Sequence, residues 1–110
     1  VTQAVQNFGI TKEMMENSAQ AAALLKILSN EQRLLILCML HENELSVGQL
    51  NEMIPNLSQS ALSQHLSLLR REDLVATRRD SQTIYYKLAS SDAARIIHLM
   101  HELFCSEACQ

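Results

Sequence analysis

The sequence predicts a mainly α-helical fold with one small β-hairpin, and three observations lead there. Apolar residues make up 47% of the 110 positions, yet aromatic residues only 4%, with no Trp. Leu, Ala and Ile dominate, which favours a core built from helices over a large sheet. Ser-x-x-Gln capping signals recur ahead of apolar runs, and β-branched and aromatic residues collect only around residues 74–88. A chain of this length holds one compact domain, which excludes a multidomain enzyme.

Taken in order, residues 1–11 read as a flexible lead and 12–110 as a single domain. From about Lys12 to Leu28 the chain is rich in Ala, Leu, Met, Glu and Lys, a first helix. Ser29-Asn30-Glu31-Gln32 then offers a capping box, with Asn30 a competing cap, for a second helix whose Leu34 to Leu40 run is apolar on most sides. After a break at His41–Leu45, Ser46-Val47-Gly48-Gln49 caps a short helix stopped by Pro55. Ser58 caps a longer helix reaching about Arg71, and a short helix, a tight turn and a longer helix are helix-turn-helix spacing. Residues 74–79 and 82–88, separated by Asp80-Ser81, read as a hairpin. Ser90 or Ser91 caps a last helix from Asp92 to about Cys105. Its Ile96, Ile97, Leu99, Met100, Leu103 and Phe104 cover most of the circumference, so it needs a second apolar surface. Pairing of two copies through the first and last helices is the expected solution, a homodimer.

No charged and apolar leader opens the sequence, and no apolar run approaches the roughly 20 residues of a membrane span, so a cytoplasmic protein with no membrane partner is expected. Nine Lys and Arg against 12 Asp and Glu give a net charge of −3, which argues against indiscriminate polyanion binding. The distribution is uneven: residues 58–88 sum to +2 and the remainder to −5. A basic patch on an acidic body focuses attraction where phosphates would lie and discourages non-specific adhesion.

On a helix over residues 58–71, Ser60, Ser63, Gln64, Ser67 and Arg71 share one face, while Ala61, Leu62, His65, Leu66 and Leu69 share the other. Short hydroxyl and amide side chains at the start of the second helix of a helix-turn-helix fit a major groove and can exchange hydrogen bonds with base edges. Gln59, Ser60, Ser63 and Gln64 are therefore the candidate readers of double-stranded DNA. The alternative is an ordinary solvated helix face. His65 lies in the apolar stripe and reads as a hydrogen-bonded structural imidazole. Arg70, Arg71 and Lys87, with Arg78 and Arg79 near the hairpin tip, complete a basic surface suited to phosphate or the minor groove.

The run Leu57-Ser58-Gln59-Ser60-Ala61-Leu62-Ser63-Gln64-His65-Leu66, followed by Leu69-Arg70-Arg71 and the Arg78-Arg79 hairpin ending in Tyr85-Tyr86-Lys87-Leu88, resembles the ArsR/SmtB family of dimeric winged helix-turn-helix repressors. The similarity spans roughly residues 21–105. It implies an operator-binding homodimer released by a chemical inducer, with Gln59, Ser60, Ser63 and Gln64 at base-contacting positions. It also implies a transcription factor, not an enzyme, and no cofactor.

Against that family the metal sites look dismantled. Where a Cys-x-Cys pair of soft thiolate ligands would stand, this chain has Ser46 and Gly48. Where a zinc site on the last helix would stand, Asp92 survives but Ala94, Cys105 and Ala108 replace the other ligands. Three cysteines remain, Cys38, Cys105 and Cys109, an odd number without the spacing of a secreted disulfide scaffold. Cys38 and Cys105 match the two positions that mark the persulfide- and oxidant-responsive dithiol branch of the family. That resemblance implies a redox-sensing repressor of sulfide- or virulence-linked operons, switched when a persulfide, polysulfide or oxidant links the two thiols in a disulfide or polysulfide bridge. His41 lies three residues after Cys38 and His101 four before Cys105, so either imidazole could favour a thiolate, and Cys109 is a possible exchange partner. Three other readings stay open. Cys38 is a plain core residue; His98, His101, Cys105 and Cys109 form a helical metal stripe; or Cys38 and His41 form a small thiol peroxidase site.

Overall fold

A computed structural model of the chain describes residues 8–89 and 91–105, with side chains from residue 11. Ser90 as a cap, Cys109, Ala108 and the first seven residues of the expected lead lie outside the described residues. The chain divides between Asn30 and Glu31 into two compact units, whereas the sequence places residues 12–110 in one domain.

Within the described residues the first unit is one helix, α1 (Phe8–Leu28). It starts four residues before Lys12, where the sequence reading begins the first helix. Once the Ala- and Leu-rich segment nucleates, adding a residue fixes one backbone position and gains one hydrogen bond, so propagation runs backward through Gly9 at a cost of only about 1 kcal/mol. At its other end the Ser29 N–H donates to the Leu25 carbonyl at 2.9 Å and the Ser29 hydroxyl to the Lys26 carbonyl at 2.9 Å. Ser29 therefore closes α1; its N–H is spent there, and the capping box expected with Gln32 does not form.

The second unit runs α2 (Glu31–Met39), β1 (Leu45–Ser46), α3 (Val47–Met53), α4 (Gln59–Arg71), β2 (Val75–Asp80), β3 (Thr83–Leu88) and α5 (Ser91–Phe104). Its core is aliphatic: Ile36, Leu37 and Leu40 from α2 and its end, Leu50 from α3, Leu62, Leu66 and Leu69 from α4, Leu74 and Val75 at the wing root, and Ala93 and Ile97 from α5 are all buried. The α4 trio of Leu62, Leu66 and Leu69 comes from the stripe that the 3.6-residue period selects. The Ser46 cap forms the full reciprocal box, its hydroxyl accepting from the Gln49 N–H at 3.2 Å and its own N–H donating to Gln49 Oε1 at 2.9 Å. Ser58 caps α4, its Oγ accepting from the Ala61 N–H at 3.1 Å.

The hairpin is part of a three-stranded antiparallel sheet in the order β1-β3-β2. The third strand was not expected. It is two residues long, with Leu45 opposite Tyr86 and Ser46 opposite Tyr85, too short to leave a periodic signature in the sequence. β2 pairs with β3 from Val75–Leu88 to Asp80–Thr83, and Ser81, at φ 57°, makes the tight turn at the tip. No described helix is long and apolar enough to cross a membrane.

Candidate nucleic-acid interface and thiol pair

The helix-turn-helix consists of α3 packed on α4, joined by the Ile54–Ser58 turn, in which the Leu57 N–H donates to the Ile54 carbonyl at 3.1 Å. Burial of Leu62, Leu66 and Leu69 fixes the rotation of α4, so Gln59, Ser60, Ser63, Gln64, Ser67, Arg70 and Arg71 all face solvent. The Ser60 hydroxyl lies 3.4 Å from the Ser58 hydroxyl, so the cap is linked to the candidate reader Ser60. His65 is half-buried, with Nε2 3.0 Å from Gln32 Oε1. Desolvation, with a smaller contribution from the Arg33 charge, pushes its pKa below the usual histidine value. It is a structural, hydrogen-bonded ring, as its place in the stripe implies.

The two wing arginines differ. Arg79, opposite Ile84 and next to the turn pair, is exposed. Arg78 is engaged: its Nε lies 3.0 and 3.1 Å from the two carboxylate oxygens of Glu44, and its Nη2 2.7 Å from Oε1. Its guanidinium also sits 4.8 Å above the Tyr85 ring. Hydrogen bonding to Arg78, then the charges of Arg78 and Lys87, holds the Glu44 carboxyl below the usual range, while the same pair holds Arg78 in its charged form. The structure holds this guanidinium in a clamp between the β1 approach and the wing, while Arg79 beside it lies outside that clamp. Glu44 and Arg78 are 34 residues apart, and only the β1-β3-β2 order brings them together.

Lys87 is exposed on the same sheet face as Arg78, opposite Ala76.

In the same unit, α2 packs against α5. His41, just past α2, stacks on His101 with ring centroids 4.6 Å apart and lies 5.4 Å from the His98 ring. His41 Nε2 is 3.4 Å from His98 Nδ1, and His98 Nε2 is 3.0 Å from Glu102 Oε1. Cys38 in α2 and Cys105, the residue after α5, are both half-buried thiols, one turn before His41 and one turn after His101. The Cys105 N–H donates to the His101 carbonyl at 2.8 Å, continuing α5 to the thiol. Among the described residues no three His, Cys, Asp or Glu side chains form a group able to hold a metal ion. Of the helical stripe read in the sequence, Cys109 lies outside the described residues, and the rings of His98 and His101 both contact His41. Sequence reasoning missed Glu44, Tyr85 and the His41–His98 contact, all of them non-local.

A short helix packed on an exposed polar helix, followed by a basic hairpin, defines a winged-helix DNA-binding protein. Comparison with known proteins places it further. Residues 30–77 match the model of the bacterial regulatory protein, arsR family. The chain is 55% identical over 94 residues to the transcriptional activator HlyU of Vibrio cholerae, covering 86% of each protein. It is 40% identical over 99 residues to the biofilm growth-associated repressor of Xylella fastidiosa, covering 89% of this chain and 86% of that one. Among solved structures, reduced HlyU from Vibrio cholerae superposes with a TM-score of 0.80 at 55% identity, over 86% of this chain and 98% of that one. The repressor BigR from Xylella fastidiosa gives 0.79 at 37% identity, over 88% and 95%. The chain belongs to the ArsR family of winged-helix transcriptional regulators, which bind DNA and are typically dimeric. Its relatives are regulators and not enzymes, which removes the thiol-peroxidase reading.

Proposed function

We propose that this regulator is a repressor whose grip on operator DNA is switched by chemistry at the Cys38–Cys105 thiol pair. The observation that carries the proposal is the packing of α2 on α5, where His41, one turn after the half-buried Cys38, stacks on His101, one turn before the half-buried Cys105. A relative solved in a form described as reduced supports a redox reading. The chemistry balances without a metal. The Cys38 thiolate attacks the outer sulfur of an organic persulfide RSSH, giving Cys38–S–SH and releasing RS⁻; the Cys105 thiolate then attacks the Cys38 sulfur, forming the disulfide and expelling HS⁻. With a peroxide, the thiolate becomes a sulfenic acid with loss of hydroxide, and the second thiol displaces water. Where both thiols have been persulfidated by RSSH, the terminal sulfur of the Cys38 persulfide attacks the Cys105 sulfur and expels HS⁻, leaving a trisulfide bridge.

In the DNA-bound form Gln59, Ser60, Ser63 and Gln64 meet base edges, while Ser67, Arg70, Arg71 and Arg79 hold phosphates. Two copies pair through α1 and α5, whose Leu99, Leu103 and Phe104 are exposed. As a regulator of chromosomal operators it acts in the cytoplasm. Linking α2 to α5 alters the separation of the two α4 helices, and half-site spacing tolerates little change. Intact-mass analysis after exposure to an organic persulfide, followed by peptide mapping, tests the chemistry. A Cys38–Cys105 link is the expected product, and its absence in a protein that has reacted elsewhere refutes the proposal.

A further inference from the structure

An open groove of about 750 Å³ lies where the end of α2, the following turn, the end of β3 and the first half of α5 converge. Its lining includes the apolar Leu40, Leu88 and Ala94 and the polar His41, Lys87 and Arg95. That volume falls within the range of small-molecule sites, and an apolar floor with a few polar groups at the rim is their usual build.

The charges decide what it would take. Glu44 also lines the groove, but its carboxylate is neutralised by the clamp to Arg78. Lys87 also acts on Glu44, so with Arg78 counted the groove sets three cations, Arg78, Lys87 and Arg95, against two carboxylates, Glu42 and Glu44. Arg95's ion pair with Asp92 spans 3.9 Å, with both side chains about four-fifths exposed, a contact that solvent screens almost completely. On a chain whose net charge is −3, this is a local positive rim over an apolar floor. Its imidazole wall is His41 and His98, and His41 is the ring that stacks on His101 one turn from Cys105 and stands one turn after Cys38.

We infer that this groove is a docking site for a small organic anion, and that its occupant is a carboxylate-bearing thiol persulfide held by Lys87 and Arg95 while its sulfur is presented to the α2–α5 seam. The identity of the occupant rests on the thiol-switch reading; the existence of an anion site does not. The groove thereby makes the regulator selective among persulfides by their carboxylates and not by the reactive sulfur alone, which is common to all of them.

The test compares two persulfides with the same reactive group, glutathione persulfide, which carries carboxylates, and hydroxyethyl persulfide, which does not. Sulfur transfer to Cys38 is timed by intact mass in the unmodified protein and in Arg95→Glu. The ratio of the two rates is expected to fall by about tenfold in the variant at low salt, with hydroxyethyl persulfide little affected. Separately, S-methylglutathione, which cannot transfer sulfur, is expected to shift the amide NMR signals of Leu88 and Ala94 in the unmodified protein and not in Arg95→Glu. An unchanged rate ratio overturns the assignment of the occupant, and absence of the amide shifts overturns the anion site. If neither persulfide modifies Cys38 while the amide shifts are present, the thiol-switch reading fails and the anion site stands.

Discussion

At the scale of single residues, the wing shows how a nearby partner changes what a cation can do. Arg78 and Arg79 are adjacent, yet only Arg79 is uncommitted to a carboxylate within the clamp that holds Arg78 to Glu44. Replacing Arg79 with Ala is expected to reduce the salt-dependence slope of operator binding by about 0.9, one phosphate contact, whereas Arg78→Ala leaves the slope unchanged and loosens the wing instead. Affinity measured across a salt series checks both. The clamp also predicts a pH dependence. Because Glu44 has its folded pKa lowered from 4.5, its contribution to stability is complete above that value and lost as pH falls through the lower folded value. A carbon-detected titration of the Glu44 carboxyl should show its midpoint below that of an exposed Glu; an ordinary midpoint would mean that the clamp is absent in solution. Arg78 was legible in the sequence as a basic wing residue but not as a clamp, since its partner is remote in the chain and joined to it only through the sheet.

At the scale of elements, the helices were legible because each is written locally. Ser46 and Ser58 stand where caps are needed, and the α4 pattern sets its rotation through Leu62, Leu66 and Leu69. Ser58→Ala should therefore cost about 1 kcal/mol of stability in chemical denaturation, and should also release the Ser60 hydroxyl that the cap now faces. Gln64→Ala, on the exposed face, should leave stability unchanged and cost about 1–3 kcal/mol of discrimination between operator and mismatched sites, if this residue makes a two-point contact with a base. What the sequence did not make legible is β1, whose two residues pair only because β3 lies beside them, and the end of α1, where Ser29 turns back onto the helix before it instead of opening the next. The thiol positions were legible as residues; the His41–His98–His101 cluster between them was not, because it depends on how α2 and α5 pack.

At the scale of the whole molecule, α5 carries two tasks on one helix. Ala93 and Ile97 face the core, while Leu99, Leu103 and Phe104 remain 47%, 61% and 79% exposed. In a family whose members are typically dimeric, we propose that this apolar surface receives the second copy. Burying a Leu or Phe side chain contributes about 1.5–3 kcal/mol, so Leu103→Asp should weaken self-association at least tenfold by analytical ultracentrifugation. A change of α5 relative to α2 would then be felt by both copies at once, which lets a single covalent link at the seam reach two reading helices. The most direct test is operator affinity, measured at one salt concentration, for the fully reduced protein and for protein carrying the mapped Cys38–Cys105 link. The linked form should bind about 5–150-fold more weakly, the span of typical allosteric couplings, and equal affinities would contradict the account.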